Sequence, residues 1–185
     1  MNKNIKNNQK LLTYKSHPID FDEIMEYRDN QPLIIDRAYE YIEEGNYERA
    51  YQLFSIGAYL NNSDPDVLNG LGILLCELNR IEEAKIILKR AARFNPDDSI
   101  TLANLAGVCW EMDELDEAIY YYNRSMEIPP VVEDIYVNLI NLYLEAGYLY
   151  MAYATCLKFK EEYPDDEEAD DLLEEVILNL ALSVY

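Results

Sequence analysis

Apolar side chains recur along this chain in two nested periods. The short one has intervals of three and four residues, which gathers side chains on one face of an α-helix. Leu68, Leu71, Gly72 and Leu75 make one such stripe, and Ile81, Ala84, Leu88 and Ala91 make the next. The long period is 34 residues. Ala50, Ala84, Ala118 and Ala152 keep that spacing, as do Leu71, Leu105 and Leu139, and Tyr47, Ile81, Leu115 and Leu149. Pro96, Pro130 and Pro164 form a further column, with Asn62 where a first proline would stand. Self-similarity at this period marks a stacked repeat rather than one closed core.

Each 34-residue unit therefore holds two helices. Gly45, Asn79, Asp113 and Gly147 supply the turn between them, and the second helix stops before the proline, since the residue preceding proline avoids the α region. In the second unit Asp66 is placed to cap the first helix. Ala38, Gly72 and Ala106, with the alanine column, allow close approach of helix axes, while Phe54, Leu75, Leu88, Cys109 and Tyr122 fill the space beside them. Ile140 breaks the small column in the last unit.

These boundaries predict a basic, disordered arm over 1–17, a short leading helix over 18–30, four units (31–64, 65–98, 99–132 and 133–166) and a capping helix over 167–185. Asp20 and Glu23 would cap the leading helix. Leu172, Leu173, Val176, Ile177 and Leu180 would stripe the last one, and Leu178 and Leu182 would be surplus to that stripe.

The columns resemble the tetratricopeptide repeat (TPR) family. Leu102, Leu105, Ala106, Asp113, Ala118, Tyr122 and Pro130 carry the resemblance in the third unit; Leu68, Leu71, Gly72, Leu75, Ala84, Leu88, Ala91 and Pro96 carry it in the second. The resemblance implies an all-α, TPR-like α-solenoid: a right-handed superhelix of antiparallel helix pairs whose concave face, lined by the first helices, holds a peptide. It also implies a protein that is not an enzyme.

The residues on the first helices that lie off the packing stripe would line that groove. Ile35, Tyr39, Ile73 and Trp110 supply apolar area, Trp110 being the only tryptophan. Asn69, Asn104, Asn138 and Asn141 supply carboxamides able to grip a peptide backbone. Glu43, Glu77, Glu111 and Glu145, again 34 apart, form an acidic row. Gly70 falls among these groove positions by phase, and Gly107, one turn before Trp110, leaves room beside it. None of the groove positions is Lys or Arg, so a clamp for a carboxylate tail, as in chaperone-binding members of the family, is not expected.

Charge sharpens the picture. The net charge is −21 over 185 residues, which disfavours nucleic acid and anionic membrane as partners and favours basic protein. The expected function is thus a protein–protein interaction scaffold for a basic, partly apolar segment. A dedicated chaperone for a secreted or aggregation-prone protein, and an oligomerising spacer joined as a homodimer through its C-terminal helix, are the alternatives. The arm itself, with Lys3, Lys6, Lys10 and Lys15, could occupy the groove.

The remaining chemistry is sparse. The three cysteines lack metal-ligand spacing, and the single histidine, His17, lies in the arm. No phosphate-binding glycine loop occurs, and no catalytic group, metal or cofactor is expected. Without a signal-peptide pattern or an 18-residue apolar run, a cytoplasmic location is expected.

Overall fold

The computed structural model describes residues 30–183 and, ahead of them, 24, 25, 27 and 28. The expected basic arm and the cap at Asp20 and Glu23 lie outside the described residues. The chain divides into two compact units, one ending at Asn95 and the other beginning at Pro96.

The first unit contains α1 (Gln31–Glu43), α2 (Tyr47–Leu60), α3 (Pro65–Glu77) and α4 (Ile81–Phe94). α1 packs on α2 and α3, α2 on α3, and α3 on α4. Ile34, Ala38, Ala50, Leu53, Phe54, Leu68, Leu74 and Leu88 are wholly buried at these contacts. Glycine sets the spacing. A methyl added at Gly72 would come 2.5 Å from Leu88 Cγ, and one at Gly57 would come 2.9 Å from Val67. Neither helix pair could close to this distance with a larger residue there.

The second unit contains α5 (Ser99–Glu111), α6 (Leu115–Met126), α7 (Glu133–Glu145), α8 (Leu149–Glu162) and α9 (Glu167–Leu182). α5 packs on α6 and α7, α6 on α7, α7 on α8 and α9, and α8 on α9. Ile140 is fully buried, so the last pair accommodates a branched side chain where the others carry Ala or Gly. Aromatic packing takes over there: Tyr136 stacks on Phe159 with centroids 5.1 Å apart, and Tyr163 meets both rings edge-on. The Tyr163 hydroxyl donates to the Val131 carbonyl at 2.7 Å.

The four turns share one construction. Gly45, Asn79, Asp113 and Gly147 all have positive φ, between 58° and 75°. Each is followed by a residue whose N–H reaches back five positions, as Asn46 does to the Tyr41 carbonyl at 2.7 Å and Arg80 to the Leu75 carbonyl at 2.8 Å. This double-bonded termination satisfies the last carbonyls of the first helix and reverses the chain. Asn and Asp substitute for glycine because their short polar side chains tolerate the left-handed region.

Two expectations need correction. The cap of α3 is Asp64, not Asp66: Asp64 accepts from the Asp66 and Val67 N–H groups, and Pro65 takes the first helical position, where its missing donor costs nothing. On α9 the buried stripe is Ala169, Leu172 and Val176, whereas Ile177 stands 48% exposed. The helix turns about 100° per residue, so Ile177 leaves the face that Val176 defines.

Candidate protein-binding face

Each first helix keeps one face off the buried seam. Ile35, Asn69, Ile73, Asn104, Trp110, Asn138 and Asn141 are half-buried there, and Tyr39, Glu43, Glu77, Glu111 and Glu145 are exposed. None of these twelve side chains is enclosed in the core. Gly70, placed on this face by phase, is buried instead. A methyl there would lie 2.5 Å from the Phe54 ring, which reaches across from α2 and also meets Tyr39 edge-on at 5.7 Å. Asn69 and Asn104 each already have an interaction within the protein.

One contact joins two of the predicted residues. The Trp110 indole Nε1 donates to Glu145 Oε2 at 2.7 Å, tying the ends of α5 and α7 together. Among the described residues, Glu43, Glu77 and Glu111 take part in no ion pair.

Helix polarity deepens the negative potential at these acids. A helix carries roughly half a negative charge at its C-terminus, and basic side chains there are favourable. The last residue of α1, α3, α5 and α7 is in every case glutamate, and none of the four helices has a basic residue in its last turn. The only Lys or Arg on the first helices is Arg37, which pairs with Glu40 at 2.5 Å.

The chemistry of the remaining groups is structural. Burial pushes the Cys156 thiol up to about 11, which keeps it protonated and non-nucleophilic near neutrality. Burial likewise raises the Tyr122 hydroxyl to about 12. Sequence spacing did not flag one cluster: the Cys109 sulfur and carboxylate oxygens of Glu114 and Glu117 lie within 4.8 Å of one another. Each of the three is already engaged by neighbours in the protein. A cavity of about 520 Å³ lies between the α5–α6 and α7–α8 turns, with Asp113, Glu114, Asp116 and Glu117 on one side and Tyr148 on the other. Among the described residues no helix is long and apolar enough to cross a membrane.

An all-α array of helix hairpins with glycine- and alanine-set spacing defines a helical-repeat protein. The tetratricopeptide repeat model matches residues 41–109. The fold is shared with the TPR protein YrrB, described as having an unusual peptide-binding site, at TM-score 0.68, 18% identity and coverage of 84% of this chain and 80% of that one. It is shared with the Pseudomonas aeruginosa pilF protein at TM-score 0.73, 16% identity and coverage of 87% and 72%. Residues 41–109 thus carry tetratricopeptide repeat sequence, and the chain has the fold of tetratricopeptide repeat proteins.

Among curated proteins, the BBSome complex member BBS4 of Bos taurus is 27% identical over 103 residues, covering 56% of this chain and 20% of that protein. A UDP-N-acetylglucosamine–peptide N-acetylglucosaminyltransferase of Giardia intestinalis is 28% identical over 123 residues, covering 66% of this chain and 8% of that protein. The chain thus spans a fifth or less of the length of these relatives.

Proposed function

We propose that this protein is an interaction scaffold whose first-helix faces hold a basic, partly apolar segment of a partner protein. The observation that carries the reading is the glutamate ending all four first helices, uncompensated by any basic residue in the last turn. Each such helix end raises the local concentration of cationic chain and speeds its encounter, with a dependence on ionic strength. Ile35, Tyr39, Ile73 and Trp110 add apolar contact of the kind that concentrates binding energy. The experiment is a calorimetric titration of an arginine-rich peptide with interspersed leucines, at low and at raised salt, against a glutamate-rich control. The expected result is binding of the basic peptide alone, weakening with salt and lost in Glu77→Lys/Glu111→Lys. Equal affinity and equal salt dependence in that double variant would sink the reading.

A second reading, self-association through the C-terminal helix, has its own observation. Ile177, Leu178 and Leu182 are 48%, 60% and 65% exposed on α9. Elsewhere on α9, Leu180 and Ser183 line a cavity of about 360 Å³ with Tyr148, Tyr150 and Met151. Sedimentation of Leu178→Ser/Leu182→Ser against the parent decides it: an unchanged mass distribution removes the homodimer from consideration.

A further inference from the structure

Three helical glycines of this chain, Gly57, Gly70 and Gly72, are explained by packing, because an added methyl would come within 2.5–2.9 Å of a neighbouring side chain. Gly107 is different. An added methyl there meets only the Tyr122 hydroxyl, at an ordinary 3.5 Å, and its φ lies outside the range that requires glycine. It stands mid-helix in α5, half exposed, at a position where alanine would make a better helix. Neither packing nor backbone conformation accounts for it. Glycine in such a place lets another chain approach the backbone closely.

The surroundings say what approaches. Trp110 follows Gly107 by three residues and so stands beside it on the same face of α5. Its indole N–H is taken by Glu145, which fixes the ring, and the half-buried side chain keeps part of its surface open to solvent. The second carboxylate oxygen of Glu145 keeps acceptor capacity, and Glu111 stands next to Trp110 at the end of the same helix. A fixed aromatic ring, a carboxylate held against its edge and, one turn away, a backbone position without a side chain, bounded by the Tyr122 hydroxyl, make a seat for a cation on a flexible stem. Indole is the best of the aromatic faces for that purpose.

We infer that Gly107, Trp110 and Glu145 form a preformed pocket for one lysine or arginine side chain of the bound segment. The stem crosses Gly107, the head group stacks on Trp110, and Glu145 accepts from it. This rests on the proposed basic-segment reading and assigns it an anchor point.

The single tryptophan makes the test direct. Tetra-arginine peptide is titrated while Trp110 emission and calorimetric heat are followed together, with tetra-glutamate as control. The expected result is a saturable emission change tracking the heat. Gly107→Met fills the clearance with a good helix former, so its melting temperature holds or rises while tetra-arginine affinity falls at least about tenfold. Glu145→Gln keeps an acceptor for the indole N–H and removes the charge. Its free emission maximum stays where it is, and affinity falls about five- to tenfold. Should Gly107→Met unfold, Glu145→Gln alone decides. If both variants bind tetra-arginine like the parent while Glu77→Lys/Glu111→Lys does not, the pocket is overturned and the broader reading stands. Absence of calorimetric binding to the parent overturns both.

Discussion

The first and second helices of each hairpin are built to nearly the same length around the same seam, yet their charges differ. The first helices α1, α3, α5 and α7 carry nine acids and one arginine; the second helices α2, α4, α6 and α8 carry seven acids and eight bases. Their ends differ in the same sense. α4 and α6 have Arg93 and Arg124 in the last turn, the favourable arrangement for the helix dipole; α8 has Lys160 there but ends on Glu161 and Glu162, α2 has no base there, and every first helix finishes with glutamate. The second helices thus nearly balance their charge, and two of them complement the dipole, whereas the first helices carry an excess of acid that ends on the unfavourable side of the dipole. The lesson is that net charge alone hides this difference: the placement of charge relative to helix polarity distinguishes two kinds of helix that the total does not.

The seam is where the two kinds of helix depend on each other most, and the largest effect belongs there. Phe54 is fully buried, fills the space over Gly70 and contacts Tyr39. Truncating it in Phe54→Ala removes a large apolar side chain and leaves a cavity, for an expected loss of about 3–5 kcal/mol, read as the shift in urea midpoint at constant slope. Ile73→Ala, on the half-buried face of α3, should cost far less. Equal losses would mean that this face is part of the core.

Next in size is a contrast between two glycines of first helices. Gly70→Ala drives a methyl into the Phe54 ring and should destabilise by about 1–3 kcal/mol, as overpacking does. Gly107→Ala meets no such obstacle and should stabilise by up to about 1 kcal/mol through helix propensity. Thermal unfolding of the two variants side by side checks the pair. Destabilisation by Gly107→Ala would show that its clearance is structural.

Those two glycines also show what could be read from the sequence. The 34-residue period is carried by backbone geometry: Ala50, Ala84, Ala118 and Ala152 repeat because axes must approach equally in each pair, and that requirement is visible in one dimension. Helical phase kept the twelve predicted residues out of the buried seam, because 3.6 residues per turn leaves little freedom. Phase failed at Gly70, where the position is claimed by a ring from the preceding helix, and that depends on the rotamer of Phe54. The Trp110–Glu145 hydrogen bond was hidden for the same reason: the residues stand 35 apart, and nothing in the pattern says how their side chains rotate. Asp64 displaced Asp66 as cap because Pro65 between them favours the first helical position, a local preference stronger than the repeat register.

The smallest effect tests the charge comparison most directly. If Glu43, Glu77 and Glu111 are held against the helix dipole without a compensating partner, removing the charge should help the fold. Glu43→Gln, Glu77→Gln and Glu111→Gln should each stabilise by about 0.3–1 kcal/mol at low ionic strength, with the gain shrinking as salt screens the interaction. Arg93→Gln, at the end of α4, should move stability by a similar amount in the opposite direction, since it removes a favourable charge. Glu145→Gln belongs to neither group, because its carboxylate also accepts from Trp110; its loss of repulsion is offset by a weaker hydrogen bond, and a change near zero is expected. Chemical denaturation of these five variants at two salt concentrations is sufficient. Destabilisation by all three first-helix substitutions would mean that those acids serve the fold, and the asymmetry between the two kinds of helix would then say nothing about a partner.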